Sequence, residues 1–385
     1  MPTTTMMNEG RTRALLDGGV ADSSAEALLK RYAAINEKQR VQWTTYHRFE
    51  RELGSGGQGI VYLSYRKGAD GFNQPVAMKV FSPARFATES EYEKAMVRIA
   101  HVASRIATIQ HDNLLDVQDF VDQNRIRIMV MEWIDGFDLR QLLTTERLQL
   151  VKSMANPKRW SYINRVVATI GKEQTRIKAG VAVAIARDCL AALAALHRQG
   201  IVHSDLKPAN IMLKKTGHAK LIDMGSAFEL RDPPEKRACT PAYAAPEVLE
   251  GADCDERSDL ASLGYVLVEM LAGRPCFAPD TEYKELLEAK RRLSSRLDKI
   301  LPDEVVCNEH LMNLCKRLVA TDPERRFPSA EAAELREGGA AEFHRQLVFG
   351  DLASEYDNDI RVLLEEMNRI DQVSRGLDET EQWSG

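Results

Sequence analysis

Three clusters of residues have the types and spacing to do chemistry. The first is Gly54-Ser55-Gly56-Gly57-Gln58-Gly59-Ile60-Val61. Glycines at 54, 56 and 59 free the backbone to fold closely over phosphates with its N–H groups turned inward. An ordinary tight hairpin would use the same glycines, and the cluster alone leaves both readings open. It lies between two predicted strands and not ahead of a helix. That argues against a dinucleotide-binding turn, whose third glycine opens a helix. The second cluster is Val76-Ala77-Met78-Lys79. A lysine among apolar strand residues leaves its charge half-buried, which is costly unless an anion meets it. The other reading is an edge-strand lysine that snorkels to water. The third and most specific runs from His203-Ser204-Asp205-Leu206-Lys207-Pro208-Ala209-Asn210 to Asp223-Met224-Gly225 and Ala245-Pro246-Glu247.

The elements that must position these residues follow from periodicity. Val61, Leu63 and Tyr65, then residues 76–81, read as strands, with the turn-rich GADGFNQP between them. A helix is expected over about 88–110, and strands over 114–122 and 125–132. From there to about residue 345 the pattern is mostly helical. At the N-terminus, residues 1–20 carry no structural pattern. Residues 23–42 read as a helix capped by Ser23 or Ser24, with Leu28, Leu29, Tyr32 and Ile35 at helical spacing. The organisation expected is α+β, a small β-rich lobe followed by a larger helical one.

Composition narrows the function classes. A chain of 385 residues with 44% apolar residues can bury a sizeable core. Net charge is −5, too near neutral to suggest a nucleic-acid or membrane partner by itself. The six cysteines form no C-x-x-C pair, so a zinc site or a disulfide framework is not expected and a reducing, cytoplasmic setting is. MPTTTMMNEGRTRALLDGG has no apolar stretch long enough for a signal peptide. The most apolar segment, 181–196, carries Arg187 and Asp188 in its middle and reads as a core helix and not a membrane span.

Taken together, G-x-G-x-x-G-x-V, V-A-x-K, H-x-D-L-x-x-x-N, D-x-G and A-P-E resemble the motif set of the eukaryotic-type protein kinase family, serine/threonine branch. Ser258-Asp259-Leu260-Ala261-Ser262-Leu263-Gly264 and Asp322-Pro323-Glu324-Arg325-Arg326 continue the resemblance. It implies a bilobal kinase domain over 47–343: an N-lobe 47–131, a hinge 132–135 and a C-lobe 136–343, between an N-terminal extension (1–46) and a tail (344–385). It also implies ATP and Mg²⁺ as cofactors and a protein hydroxyl as acceptor. Residues Gly54, Ser55, Gly56, Gly57, Gln58 and Gly59 would cover the β- and γ-phosphates. Lys79 would hold the α- and β-phosphates. Asp223 and Asn210 would hold Mg²⁺ ions. Asp205 would accept the hydroxyl proton and Lys207 would steady the γ-phosphate. Adenine would lie between Val61 and Ala77 above and Met212 below. Glu132 C=O and Ile134 N–H would read its edge, Met131 would guard the back pocket, and Asp138 would bind the ribose. Thr240, in Thr240-Pro241-Ala242-Tyr243, would touch Asp205 and Lys207 in a peptide platform. Glu247, Arg326 and Asp259 resemble structural anchors.

The chain departs from the family's pattern in four places. Ser204 stands where an arginine usually grips an activation-loop phosphate, and residues 227–239 contain no Ser, Thr or Tyr. We therefore expect no switching by activation-loop phosphorylation. Met224 replaces a phenylalanine and can fill its space. Cys239 replaces a glycine; it is either inert or a redox-sensitive thiol, with Lys236 and Arg237 near enough to lower its pKa. Lastly, the helix before His111 gives no clear acidic partner for Lys79. Counting back from His111 the position falls near Val102; counting forward from Lys79 the best candidate is Glu93. The two lie about two and a half turns apart, so the helix is longer or broken, or the ion pair is missing.

Two segments exceed the family's plan. An insertion at about 147–180 carries Lys152, Lys158, Arg159, Arg165, Lys172, Arg176 and Lys178. It is a solvated face or a docking surface for an acidic partner. Nucleic acid is not expected there, because only Trp160 and Tyr162 interleave as aromatics. The acidic tail places Ile360, Leu363, Leu364, Met367, Ile370, Val373 and Leu377 at helical spacing, an amphipathic helix that covers this chain or another. An active serine/threonine kinase is the leading reading. A pseudokinase scaffold is the alternative, and its discriminating feature would be loss of Lys79, Asp205, Asn210 or Asp223, all of which are present. A small-molecule kinase fits the peptide platform poorly.

Overall fold

Alternating side chains build the first sheet. Strands β1 (His47–Gly56), β2 (Gly59–Lys67), β3 (Asn73–Phe81), β4 (Val117–Gln123) and β5 (Ile126–Glu132) lie in the order β1-β2-β3-β5-β4. Strand β3 runs antiparallel to β5, with Ala77 opposite Met131 and Lys79 opposite Met129. Val76, Met78, Ile128 and Val130 cluster on one face of the sheet. Ala77, Phe81, Met129 and Met131 join the main core on the other. Lys79 lies two residues from both Ala77 and Phe81, so the strand's period of two puts it on the core face.

These features come from a computed structural model that describes residues 47–234, 238–278, 281–349 and 356–381. The helix expected over 23–42 lies outside them. The chain divides into two units, residues 1–47 with 67–72, and residues 48–66 with 73–385. In the first, the described part beyond His47 is a tight turn in which Gly68 N donates to Phe72 O (2.8 Å) and Phe72 N donates to Ala69 O (3.0 Å). Everything below concerns the second.

Helix α1 (Glu89–Ile106) is a single unbroken helix. Thr88 caps it by accepting from Glu91 N, and Glu91 Oε2 reaches back to Ala87 N, satisfying two donors that a helix start leaves open. Tyr92, Met96, Ile99, Val102, Ala103 and Ile106 form its buried stripe.

The helical region begins after β6 (Gly136–Asp138). The expected insertion folds as helices α2 (Thr145–Met154) and α3 (Pro157–Val166) and the hairpin β7 (Ala168–Ile170) and β8 (Thr175–Ile177). Helix α4 (Ala179–His197) follows. Among the described residues it alone is long and apolar enough to cross a membrane, but 67% of that stretch is buried inside the protein, as the core helix expected from the sequence. Short strands β9 (Ile201–Val202), β10 (Ile211–Lys214), β11 (Ala219–Leu221) and β12 (Phe228–Glu229) carry the chain past the candidate site residues. Helices α5 (Arg257–Ala272) and α6 (Tyr283–Leu293) follow in sequence, and further helices, among them Glu309–Leu318, Ala330–Leu335 and Ala340–Phe349, complete the lobe.

The tail forms helix α7 (Tyr356–Glu381), which packs on α2, α3 and α4. Tyr356, Ile360, Leu363, Leu364, Met367 and Ile370 are buried, while Val373 is exposed; the side chain of Leu377 lies outside the described residues. The contact is charge-matched. Arg147 grips Asp371 at 2.7 and 2.8 Å, Arg159 Nε meets Glu366 at 2.5 Å and also pairs with Glu365, and Tyr162 donates to Asp359. Gly180 allows the approach: a Cβ there would come within 2.4 Å of the Tyr356 ring. Leu363→Ala, at a fully buried position, is expected to cost about 2–5 kcal/mol and to lower the melting temperature by roughly 5–15 °C. An unchanged melting curve would mean that α7 does not pack as described.

Candidate active site

Strand β3 delivers the Lys79 ammonium to a site closed from below by the segment after β11. Lys79 is 5% exposed. Its Nζ pairs with Asp223 and donates to Gln58 Oε1 at 2.7 Å. Asp223 adopts positive φ (61°) and accepts from Gly225 N at 3.1 Å. Burial pushes the Asp223 carboxyl up, but the Lys79 ammonium and the Gly225 N–H outweigh it and hold the group below the ordinary range. Asp223 is therefore an anion at neutral pH.

Asp205 sits across the site at 8% exposure. Its Oδ1 accepts from Thr240 N (2.9 Å) and Thr240 Oγ1 (2.7 Å), and its Oδ2 accepts from Lys207 Nζ at 2.6 Å. Lys207 Nζ also donates to Thr240 Oγ1 at 2.9 Å. Asn210 Nδ2 donates to the Asp205 carbonyl at 2.7 Å, which leaves the amide oxygen as the atom that can face a cation. Beneath this loop Asp259 accepts from His203 N and Ser204 N, both at 2.9 Å, and meets His197 Nε2 at 2.9 Å. Ser204 is at positive φ (69°), a cost for a non-glycine residue that the Asp259 bonds offset.

The glycine-rich turn joins β1 to β2. Gly54, Ser55, Gly56 and Gly57 are exposed. Gly59 (φ +139°) admits no side chain, because a Cβ would stand 2.0 Å from Val80 O. Gln58 is half-buried and points inward; besides Lys79 it reaches Ser226, Nε2 donating to Oγ at 2.9 Å. Ala77 and Met131 are buried, and Val61 and Ile134 are half-buried against the core. On β10 the buried pair Ile211 and Leu213 leaves Met212 on the opposite, half-buried face, in register with Asp138. The Asp138 carboxylate accepts from Gln141 N (2.9 Å) and Gln141 Nε2 (2.8 Å), capping the short helix Leu139–Leu143. Glu132 adds a side-chain role that sequence did not suggest, accepting from Asp116 N at 2.7 Å and pairing with Lys220.

Glu93 requires a correction. It pairs with Arg125 at 2.6 Å, beside Glu89 at 2.7 Å, and not with Lys79. The helix is regular, so the reason is rotational: α1 turns Tyr92 and Met96 inward, and Glu93 lies about 100° off that stripe. Val102, the other counted position, is on the buried face but apolar. The apolar periodicity of the helix carried this information, and the spacing counts did not use it.

Three further residues belong to the site's surroundings. Glu229 on β12 is buried and meets Arg105 (2.6 Å), Arg231 (2.5 Å) and His101 (3.2 Å), tying the segment after Asp223 to α1. The Arg105 hydrogen bond holds its carboxyl below the ordinary range, against the effect of burial. Cys239 is half-buried; Lys236 and Arg237, invoked above as its activators, lie outside the described residues. Lys290 on α6 is wholly buried beneath the Thr240-Pro241-Ala242-Tyr243 segment. Its Nζ donates to Ala242 O at 2.7 Å and sits over the rings of Tyr265 (4.1 Å) and Phe277 (4.3 Å).

Burial pushes the Lys290 ammonium down to about 7 from 10.5. The unfolded chain then binds one more proton than the folded chain between those values. Stability therefore rises with pH across that window, by up to about 1.4 kcal/mol per pH unit. Lys290→Met is expected to remove this slope, read as the difference between variant and wild-type melting curves from pH 7 to 10. Parallel curves would contradict it.

The donors around Asp223 and Asn210 are hard oxygens, and among the described residues no three His, Cys, Asp or Glu side chains gather as a metal cage. Such a set fits Mg²⁺, which takes one or two protein oxygens and completes its shell with phosphates and water.

Comparison with known proteins agrees with this geometry. The family model for the protein kinase domain matches residues 47–336. A probable serine/threonine-protein kinase of Streptomyces coelicolor, SCO3848, is 30% identical over 293 residues, 72% of this chain and 37% of that protein. The serine/threonine-protein kinase PknL of Mycobacterium bovis is 30% identical over 268 residues, 67% of this chain and 58% of the relative. PknB of Mycobacterium tuberculosis, likewise a serine/threonine-protein kinase, is 29% identical over 298 residues, 74% of this chain and 41% of the relative. The chain thus spans less than two thirds of each of these relatives.

Proposed function

The chain belongs to the protein kinase family, and from that premise we propose that it is a serine/threonine kinase moving the γ-phosphate of Mg·ATP to a protein hydroxyl. The observation that carries the proposal is the Asp205 carboxylate, one oxygen held by Thr240 and the other by Lys207. That arrangement suits a base that takes the hydroxyl proton as the oxygen attacks the γ-phosphorus and ADP leaves. Lys207 would follow the charge on the transferring group, and Lys79 would exchange part of its bond with Asp223 for phosphate oxygens. Asp223 and Asn210 would hold Mg²⁺, which supplies neutralisation of phosphate charge.

Two features support a kinase that needs no activation-loop phosphate. Residues 227–239 offer no hydroxyl to modify, and Glu229 already puts a buried anion on Arg105 and His101 of α1, the kind of tie a phosphate would otherwise make. The reading also includes a cytoplasmic setting, supported by cysteines whose spacing forms no C-x-x-C pair, and a tail that docks on its own insertion through α2 and α3.

The test is incubation with labelled Mg·ATP and peptides carrying Ser, Thr or Tyr, followed by phosphoamino-acid analysis and prior treatment of one sample with a protein phosphatase. Phosphoserine or phosphothreonine, formed equally after phosphatase treatment, is expected. Phosphotyrosine alone would overturn the acceptor assignment, and activity lost with the phosphatase would overturn the unswitched loop.

A further inference from the structure

We propose that Gln58 is a positioning residue that orients Lys79, a task no residue of α1 is able to perform. The inference rests on the kinase reading. The three acids of α1 all lie in its first five residues and are spent elsewhere. Glu89 and Glu93 pair with Arg125, and Glu91 caps the helix. Past Glu93 the helix contains no acid, and its buried stripe is wholly apolar.

A buried ammonium still needs partners. Lys79 has Asp223 and Gln58 Oε1, with the Phe81 ring 5.4 Å away. Gln58 is itself fixed at three points. Its Oε1 accepts from Lys79, its Nε2 donates to Ser226 Oγ at 2.9 Å, and its backbone oxygen accepts from Ser82 N at 3.0 Å. The bridge passes over Gly225, where a Cβ would stand 2.1 Å from Gln58 Oε1. A side chain at 225 would displace the glutamine. The same Cβ would crowd Lys79 Nζ (3.0 Å) and Asp223 Oδ1 (3.1 Å), so the bare glycine leaves room for all three groups.

The consequence is a particular division of labour. When Asp223 turns to a cation, Lys79 loses its charged partner. The amide oxygen of Gln58, 2.7 Å from Nζ, then keeps the ammonium aimed. Because Gln58 belongs to the loop that covers the nucleotide, closing the loop and aligning Lys79 become one event.

The test compares wild type, Gln58→Met and Gln58→Glu in steady-state ATP kinetics, with lysine ¹³Cε-labelled protein examined by NMR as a readout free of catalysis. Gln58→Met keeps length and removes the acceptor; it is expected to lower kcat/KM for ATP by roughly 10–100-fold and to shift the Lys79 ε-methylene signal. Gln58→Glu restores an acceptor and is expected to recover most of the activity and of the signal position. Gln58→Met with wild-type or higher activity would overturn the proposal, since the glutamine would then be idle or a plug. Equal loss in both variants would also overturn it. If wild type transfers no phosphate, the kinase reading fails, and an unmoved Lys79 signal in Gln58→Met would separately sink the role of Gln58.

Discussion

Asp205→Asn is expected to lower phosphoryl transfer by about 10²–10⁴-fold while the melting temperature stays within a few degrees of wild type. Asparagine has the same shape, and its amide oxygen can still accept from Thr240 N and Oγ1, the two bonds that seat Oδ1 at 2.9 and 2.7 Å. What is lost is the basic oxygen that Lys207 holds at 2.6 Å. With no proton acceptor, the attacking hydroxyl must carry its proton into the transition state. Turnover and a thermal melt on the same preparation check this. A variant that transfers as fast as wild type would remove Asp205 from the reaction, and a collapsed melt would reassign it to stability.

Arg326→Ala carries the largest expected effect on folding, about 3–5 kcal/mol, or a fall in melting temperature on the order of 10 °C. The guanidinium forks onto Glu247 at 2.6 and 2.8 Å with its side chain wholly buried. It also donates to the carbonyls of Ala320 (2.8 Å) and Arg257 (2.9 Å). Removing it strands a buried carboxylate together with three carbonyls, the third being that of Thr321 at 3.2 Å. Arg326→Lys keeps the charge but not the fork and is expected to fall between. Differential scanning calorimetry decides; a shift under 2 °C for the alanine variant, against the roughly 10 °C expected, would mean that Glu247 finds other partners.

The parts of the site legible in the sequence are those whose spacing is local. Asp205, Lys207 and Asn210 lie on one loop, and Asp223 and Gly225 on another, so their relation survives without knowledge of packing. Lys79 was legible because a strand's period fixes its face. Residues whose role depends on how one element is rotated against another were not. Glu93 failed for that reason, and Gln58 was visible only as a loop residue because its target lies on β3 and its second partner, Ser226, beyond Asp223. Lys290 sits in KELLEAKRRL, which reads as a solvated charge run. Its true setting shows only when Leu286, Lys290 and Leu293 are seen as one buried stripe. The amphipathic tail was legible as a helix with something to cover. That its cover is α2, α3 and α4 depended on Arg147 and Arg159 meeting Asp371, Glu365 and Glu366 across about 200 residues of chain.

If Lys79, Asp205, Asn210 and Asp223 form a working phosphoryl-transfer site, transfer must need both the divalent cation and the Asp223 carboxylate. The most direct measurement is transfer of γ-labelled phosphate from ATP to a Ser/Thr peptide library by wild type with Mg²⁺, wild type with chelator, and Asp223→Asn with Mg²⁺. Labelled phosphoserine or phosphothreonine is expected in the first reaction and background in the other two. Label that persists with chelator or in Asp223→Asn, or wild type at background with Mg²⁺, would contradict it.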